Sequence, residues 1–183
     1  MVATAFVFCL FEEVPEVSES IKIGRPPATV QSQFGDVGYH QRSGHHRGVL
    51  LTVLEDTAQS CRYEQLTKVG PIRVRQCFVL DRGDLVHHEN ELVSGAFAPG
   101  AIEFVIEGND DESTVVATLR TEPRGLTRLV QPLLRPILRR SLKVALREDR
   151  DDLESGRYER STSAVSQSAT SRTRHSPIDP PSR

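Results

Sequence analysis

Three side chains able to move protons, His87, Glu89 and Glu91, sit two residues apart along one stretch of the chain. A spacing of two places such residues on one face of a β-strand. An imidazole beside a carboxylate can act as general acid and base, and a carboxylate enclosed by apolar groups must be paired or hold its proton to higher pH. The preceding stretch carries Ile72, Val74, Phe78 and Leu80 on one face, with Gln76 among them and Arg73 and Arg75 on the other. Asp81-Arg82-Gly83-Asp84 joins the two stretches as a tight turn. A two- or four-residue loop sets Leu80 opposite Leu85, Phe78 opposite His87 and Gln76 opposite Glu89, which turns the polar group into an apolar pocket with Tyr63 nearby. A three-residue loop shifts the register by one. Val86, His88, Asn90 and Leu92 then face inward, and His87, Glu89 and Glu91 face water. The residues alone leave both registers open.

Other chemistries have weaker support. His45-His46 and His87-His88 are adjacent pairs, and neighbours on a strand point to opposite faces, so neither pair can chelate there through both rings. His40, His45 and His46 fall in one Gly- and His-rich stretch, without the Cys or carboxylate spacing of a zinc site; they are read as loop histidines near a cavity mouth, and no metal site or cofactor is expected. Neither a nucleophile-elbow motif nor a phosphate-cradling glycine loop is present. Cys9, Cys61 and Cys77 are odd in number and irregular in spacing, which suits small buried thiols in a reducing compartment better than a disulfide framework.

The elements that must position these groups are written in the hydrophobic pattern. Val14 to Ile23 alternates as a strand, Pro27 can open a short helix, and Gly35 to Arg47 is a second short helix or a loop. Six further strands follow, at Val49–Leu54, Ser60–Val69, Ile72–Leu80, Leu85–Val93, Ala101–Glu107 and Thr114–Thr121. From Gly125 to Leu153, apolar residues recur at three-four spacing, including Leu129, Leu138, Leu142, Leu146 and Leu153, with a row of Arg between them. Pro132 and Pro136 predict a bend in that helix or a start nearer Pro132. One long helix after many antiparallel strands must lie across their sheet, because neither buries its apolar side alone. The expected class is α+β: a curved seven-stranded antiparallel sheet wrapped around the long C-terminal helix, with short helices after the first strand.

Residues 1–13 are read as an N-terminal extension, 14–154 as the domain and 155–183 as a disordered polar tail, since its Ser/Thr/Arg/Pro composition has little to bury. The tail holds five Arg against two acids; with a whole-chain charge of −2, the remainder is −5, which gives no electrostatic case for a nucleic-acid partner. Val2 to Phe11 is apolar but lacks a positive leader and is too short to span a bilayer, so no stable membrane insertion and a cytoplasmic location are expected. The Arg row on the long helix is read as a solvated face. Oligomeric state is left open.

Strand, short helices, six-stranded meander and long helix, in that order, resemble the helix-grip superfamily, which includes START-like, SRPBCC and polyketide cyclase/dehydrase-like proteins. Ser20-Ile21-Lys22-Ile23-Gly24-Arg25-Pro26-Pro27 looks like that superfamily's opening strand running into its first helix. Gly95-Ala96-Phe97, Ile102-Glu103-Phe104 and Arg124-Gly125-Leu126 are similar to its later strands and the start of its last helix. The usual Trp after the first-helix proline is absent; Gln31 and Phe34 occupy that neighbourhood. The resemblance implies a cavity between sheet and helix, and carries no catalytic residue with it. It implies binding or transport of a hydrophobic small molecule such as a lipid, isoprenoid or polyketide-like compound, with Tyr63, Gln76, Phe78, His87, Glu89, Phe97 and Phe104 as the expected lining. The alternative is a cyclase/dehydrase-like enzyme, for which the strand-face reading above, and not the resemblance, offers His87 and Glu89 as the proton-transferring patch.

Overall fold

The computed structural model describes residues 16–69, 72–82, 87–95, 98–122 and 126–172, except the side chains of 69, 72, 87, 88, 126–134 and 165–172. Seven strands, β1 (Glu16–Ile23), β2 (Val49–Asp56), β3 (Ser60–Val69), β4 (Ile72–Asp81), β5 (His87–Gly95), β6 (Gly100–Gly108) and β7 (Ser113–Thr121), form one antiparallel sheet in the order β1-β7-β6-β5-β4-β3-β2. Only the step from β1 to β7 is non-local. The other pairs are hairpins, as the short connecting segments require. Between β1 and β2 the chain makes two short helices, α1 (Pro27–Gly35) and α2 (Val37–Ser43). The long helix α3 (Leu126–Glu154) grips the curved sheet, and α4 (Arg157–Arg172) follows it. No described helix is long and apolar enough to cross a membrane.

Local chemistry fixes the short helices. Pro27 enters α1 where a missing N–H costs nothing, and Pro26 precedes it in extended backbone. Asp36 then caps α2, its carboxylate accepting from the Tyr39 N–H at 2.7 Å. Gly44 closes α2 with φ +57°, a left-handed conformation that a side chain would strain, and this reversal throws the following residues back toward α3.

Two apolar clusters fill the space under the sheet. Ile23, Val30, Phe34, Ile106, Val115, Leu146 and Leu153 pack together where α1 and α3 cover β1, β6 and β7. Val37, Cys61, Tyr63, Phe78, Leu80 and Leu92 pack at the β3–β5 side. Phe34 meets Phe104 edge-on at 5.1 Å, and Tyr63 stacks on Phe78 at 5.4 Å. Each fully buried Leu or Ile contributes roughly 2 kcal/mol by area removed from water.

One expectation needs correcting, and two readings left open are decided. The long helix begins at Leu126, ahead of both prolines, so it does not start near Pro132. The expected disordered tail is helical over Arg157–Arg172, and its first turn is part of the core. Tyr158 is buried and meets Tyr39 edge-on at 4.9 Å, while Arg157 lies 3.2 Å from the buried Asp152 carboxylate. A polar composition ordered because one aromatic and one Arg found buried partners on α2 and α3. Third, the β4–β5 register is the outward one. Leu80 pairs with Asn90 and Phe78 with Leu92, a shift of five residues from the inward register, with an irregularity between Cys77 and Phe78. An odd shift exchanges the two faces, so Asn90 and Leu92 are buried and Glu89 and Glu91 are exposed.

Candidate functional site

Strand alternation carries one residue in two to the inner face of the sheet. Across β3 and β4, Tyr63 pairs with Phe78, Gln65 with Gln76 and Thr67 with Val74, and all six line a cavity of about 200 Å³. Asn90 of β5, Ile102 and Phe104 of β6 and Leu119 of β7 extend this wall. Phe34 and Val37 close one side, and Leu138, Leu142, Ala145 and Leu146 of α3 form the roof. The wall is mostly apolar. Its polar groups are paired in part: the Tyr63 hydroxyl donates to Asn90 Oδ1 at 2.9 Å, and Gln65 Nε2 donates to Thr67 Oγ1 at 2.8 Å. Burial pushes the Tyr63 phenol well above its ordinary range, with the thiols of Cys61 and Cys77 adding to the shift, so it is a neutral donor.

Of the seven residues expected to line a pocket, the cavity brings together Tyr63, Gln76, Phe78 and Phe104. Glu89 is on the opposite, solvent face, where it pairs across the sheet with Glu103. The side chain of His87 and the whole of Phe97 lie outside the described residues. No proton-transferring patch can therefore be built on Glu89.

The cavity instead meets titratable groups at its α2 end, where His40, His46 and Asp149 are part of the lining. His40 comes from the last turn of α2; His45 and His46 follow Gly44. Asp149 comes from α3, one turn beyond Leu146 on the stripe that faces the sheet. Its Oδ1 lies 2.9 Å from His45 Nε2, 3.2 Å from His46 Nε2 and 3.8 Å from His40 Nδ1. All four side chains are at least largely buried. Burial alone would raise the Asp149 pKa, but the charge of His46 and the hydrogen bonds from His45 and His46 outweigh it and hold the carboxyl far below the usual range. Burial pushes His40 down to about 4 against the pull of Asp149, so its ring is neutral. For His46, burial acts downward, yet Asp149 and Glu148 together carry it above its ordinary value.

Each ring is also held from behind. His40 Nε2 lies 2.9 Å from the Gln33 carbonyl oxygen, His45 Nδ1 2.7 Å from Ser43 Oγ, and His46 Nδ1 3.3 Å from Glu148 Oε2. Glu148 also accepts from the Arg47 N–H, which pins the His45-His46 segment to α3. Three imidazoles thus converge on one carboxylate. Sequence spacing missed this group because its fourth member is a hundred residues away. A signal was present: Asp149 sits at helical spacing between Leu146 and Leu153, and an acid on an apolar stripe demands buried partners.

A second buried acid, Asp152, has a structural role. Gln33 Nε2 donates to its Oδ2 at 2.9 Å and the Tyr39 hydroxyl at 2.6 Å, tying α1, α2 and α3 together. Burial first and the hydrogen bond to Asp152 second push the Tyr39 phenol strongly upward.

No protein-family model matches the chain, and no curated protein is similar to it in sequence. The fold, in contrast, is shared with solved structures. TTHA0849 from Thermus thermophilus aligns with a TM-score of 0.69 at 18% identity, covering 78% of this chain and 99% of its own. The Zhui aromatase/cyclase from Streptomyces sp. R1128 aligns at 0.69 and 12% identity, over 78% of this chain and 94% of its own. A START superfamily protein from Mycobacterium smegmatis aligns at 0.58 and 14% identity, over 79% and 97%. The chain has the helix-grip fold. At these identities the likeness speaks to architecture alone.

Proposed function

We propose that the protein binds a compact hydrophobic small molecule, of isoprenoid or polyketide-like character, between the sheet and α3. The observation that carries this is the cavity itself: apolar walls from both clusters, with the polar groups gathered at Tyr63–Asn90, at Gln65–Thr67–Gln76 and at the histidine end. Apolar walls with a few placed polar groups are what a small-molecule site requires. Its volume of about 200 Å³ is below the roughly 300–1,000 Å³ of sites for drug-sized ligands, which favours a single ring system or short chain over a two-chain lipid. The fold neighbours include an aromatase/cyclase and a START superfamily protein, which agrees with such a ligand. The enzyme alternative that relies on Glu89 loses its carboxylate to the solvent face.

Native mass spectrometry of the purified chain, followed by organic extraction, tests the reading. A co-purifying apolar compound, displaced from a Leu142→Trp variant whose roof is filled, is the expected result. A protein of bare chain mass that also takes up no fluorescent apolar probe would remove it.

A further inference from the structure

We propose that His40, His45, His46 and Asp149 form a site for a divalent first-row transition-metal ion of the zinc type, at the α2 end of the cavity. Each of the four residues offers one ligand atom, and all four atoms lie within 4.8 Å of one another. Zinc–nitrogen and zinc–oxygen bonds of about 2.0–2.1 Å in a tetrahedron put neighbouring donors about 3.3 Å apart. The three Asp149-to-imidazole distances, 2.9, 3.2 and 3.8 Å, bracket that value. The widest pair of the four atoms, up to 4.8 Å apart, must close by about 1.5 Å to seat an ion, a movement within reach of side-chain torsions.

A hydrogen-bonded cluster alone leaves the group incompletely satisfied. One carboxylate oxygen is shared by three imidazoles, and His40 Nδ1 is buried without a hydrogen-bond partner among the described residues. The His40 side chain is only 9% exposed, and that nitrogen points at Asp149. A cation would take all four lone pairs at once, releasing to solvent the protons that His45 Nε2 and His46 Nε2 share with Asp149.

The surroundings preset the rings for this. A metal-bound imidazole carries its proton on the remote nitrogen and donates it to an acceptor, which fixes the ring and raises its basicity. Each remote nitrogen here has one: the Gln33 carbonyl for His40, Ser43 Oγ for His45 and Glu148 for His46. Ser43 can accept because its own hydroxyl donates to the His40 carbonyl at 3.5 Å. Three imidazoles and a carboxylate suit zinc, cobalt or nickel over calcium or magnesium, which prefer oxygen. The site does not depend on the cavity being occupied by an apolar molecule.

Titration of the tag-free, chelator-treated full chain with Co²⁺ and Zn²⁺ tests it. One equivalent of Co²⁺ with visible d–d absorption of low-symmetry nitrogen/oxygen coordination, displaced by Zn²⁺, is expected. His45→Ala and Asp149→Asn should each weaken binding at least tenfold, and Glu89→Ala, on the solvent face of the sheet, should leave it unchanged. Should Asp149→Asn fail to fold, His40→Gln takes its place: the Gln amide can keep donating to the Gln33 carbonyl as His40 Nε2 does, and Nδ1 has no hydrogen bond to lose, so circular dichroism should stay native while binding weakens tenfold or more. Absence of uptake at a tenfold excess of either metal would overturn the proposal. So would uptake that a folded His40→Gln variant leaves unchanged.

Discussion

Asp149 Oδ1 and His45 Nε2 lie 2.9 Å apart across 104 residues of sequence, both almost wholly buried. The contact ties the loop after α2 to the C-terminal part of α3, and so joins the short helices to the long one over the sheet. A buried carboxylate that loses its charge leaves its partners desolvated without compensation, which costs about 3–5 kcal/mol when a pair is broken. Asp149→Asn in the metal-free protein should therefore lower stability by about 3 kcal/mol in urea unfolding, even though the side chain keeps its shape. A midpoint unchanged at constant slope would mean that the three imidazoles hold the loop without the charge.

The first turn of α4 is as much core as strand. Tyr158 packs edge-on against Tyr39, whose hydroxyl donates to Asp152, which in turn meets Arg157. Tyr158→Ala should cost about 3 kcal/mol, the scale for truncating a buried aromatic. Tyr39→Phe should cost about 1.5–3 kcal/mol, because the lost bond goes to a charged acceptor. The double variant should fall short of the sum, since the two rings touch. Full additivity in thermal or urea unfolding would show the contact to be incidental.

Cys61 is fully buried, and that burial, reinforced by the Asp56 carboxylate, pushes its thiol above the ordinary range. A native state that holds the proton more tightly than the unfolded chain gains stability below the unfolded pKa, near 8.5, and loses it as pH rises through the higher native value. Alkaline titration should thus destabilise the wild type more than a Cys61→Ala variant, whose own cost is constant with pH. Iodoacetamide should label Cys61 only as the protein unfolds. Rapid labelling in native buffer would contradict the burial.

The architecture was legible because it rests on periodicity. Alternation through Tyr63, Gln76, Phe78 and Phe104 put those four on the inner face, and the three-four spacing of Leu138, Leu142 and Leu146 put α3 over them. What failed was local. The outward position of Glu89 depends on the register that pairs Leu80 with Asn90 and Phe78 with Leu92, which has no composition signature. The histidine–aspartate cluster depends on tertiary approach: Gly44 reverses the chain and Glu148 pins it. The order in α4 depends on Tyr158 and Arg157 meeting partners on other helices, which low hydrophobicity in the segment hides.

The β5 register sets apart two carboxylate or amide neighbours that the sequence could not distinguish. Glu89 is exposed and Asn90 is buried against the Tyr63 hydroxyl. Glu89→Ala should change stability by less than about 0.5 kcal/mol and leave uptake of an apolar probe unaltered. Asn90→Leu strands the Tyr63 hydroxyl in an apolar wall, costing about 1–3 kcal/mol, and should shift probe affinity because it alters the cavity surface. Tyr63→Phe combined with Asn90→Leu removes both partners and should recover most of that loss. Denaturant unfolding and probe titration on the four proteins decide it. A Glu89→Ala variant that loses probe binding, or a double variant no more stable than Asn90→Leu alone, would place the strand in the other register.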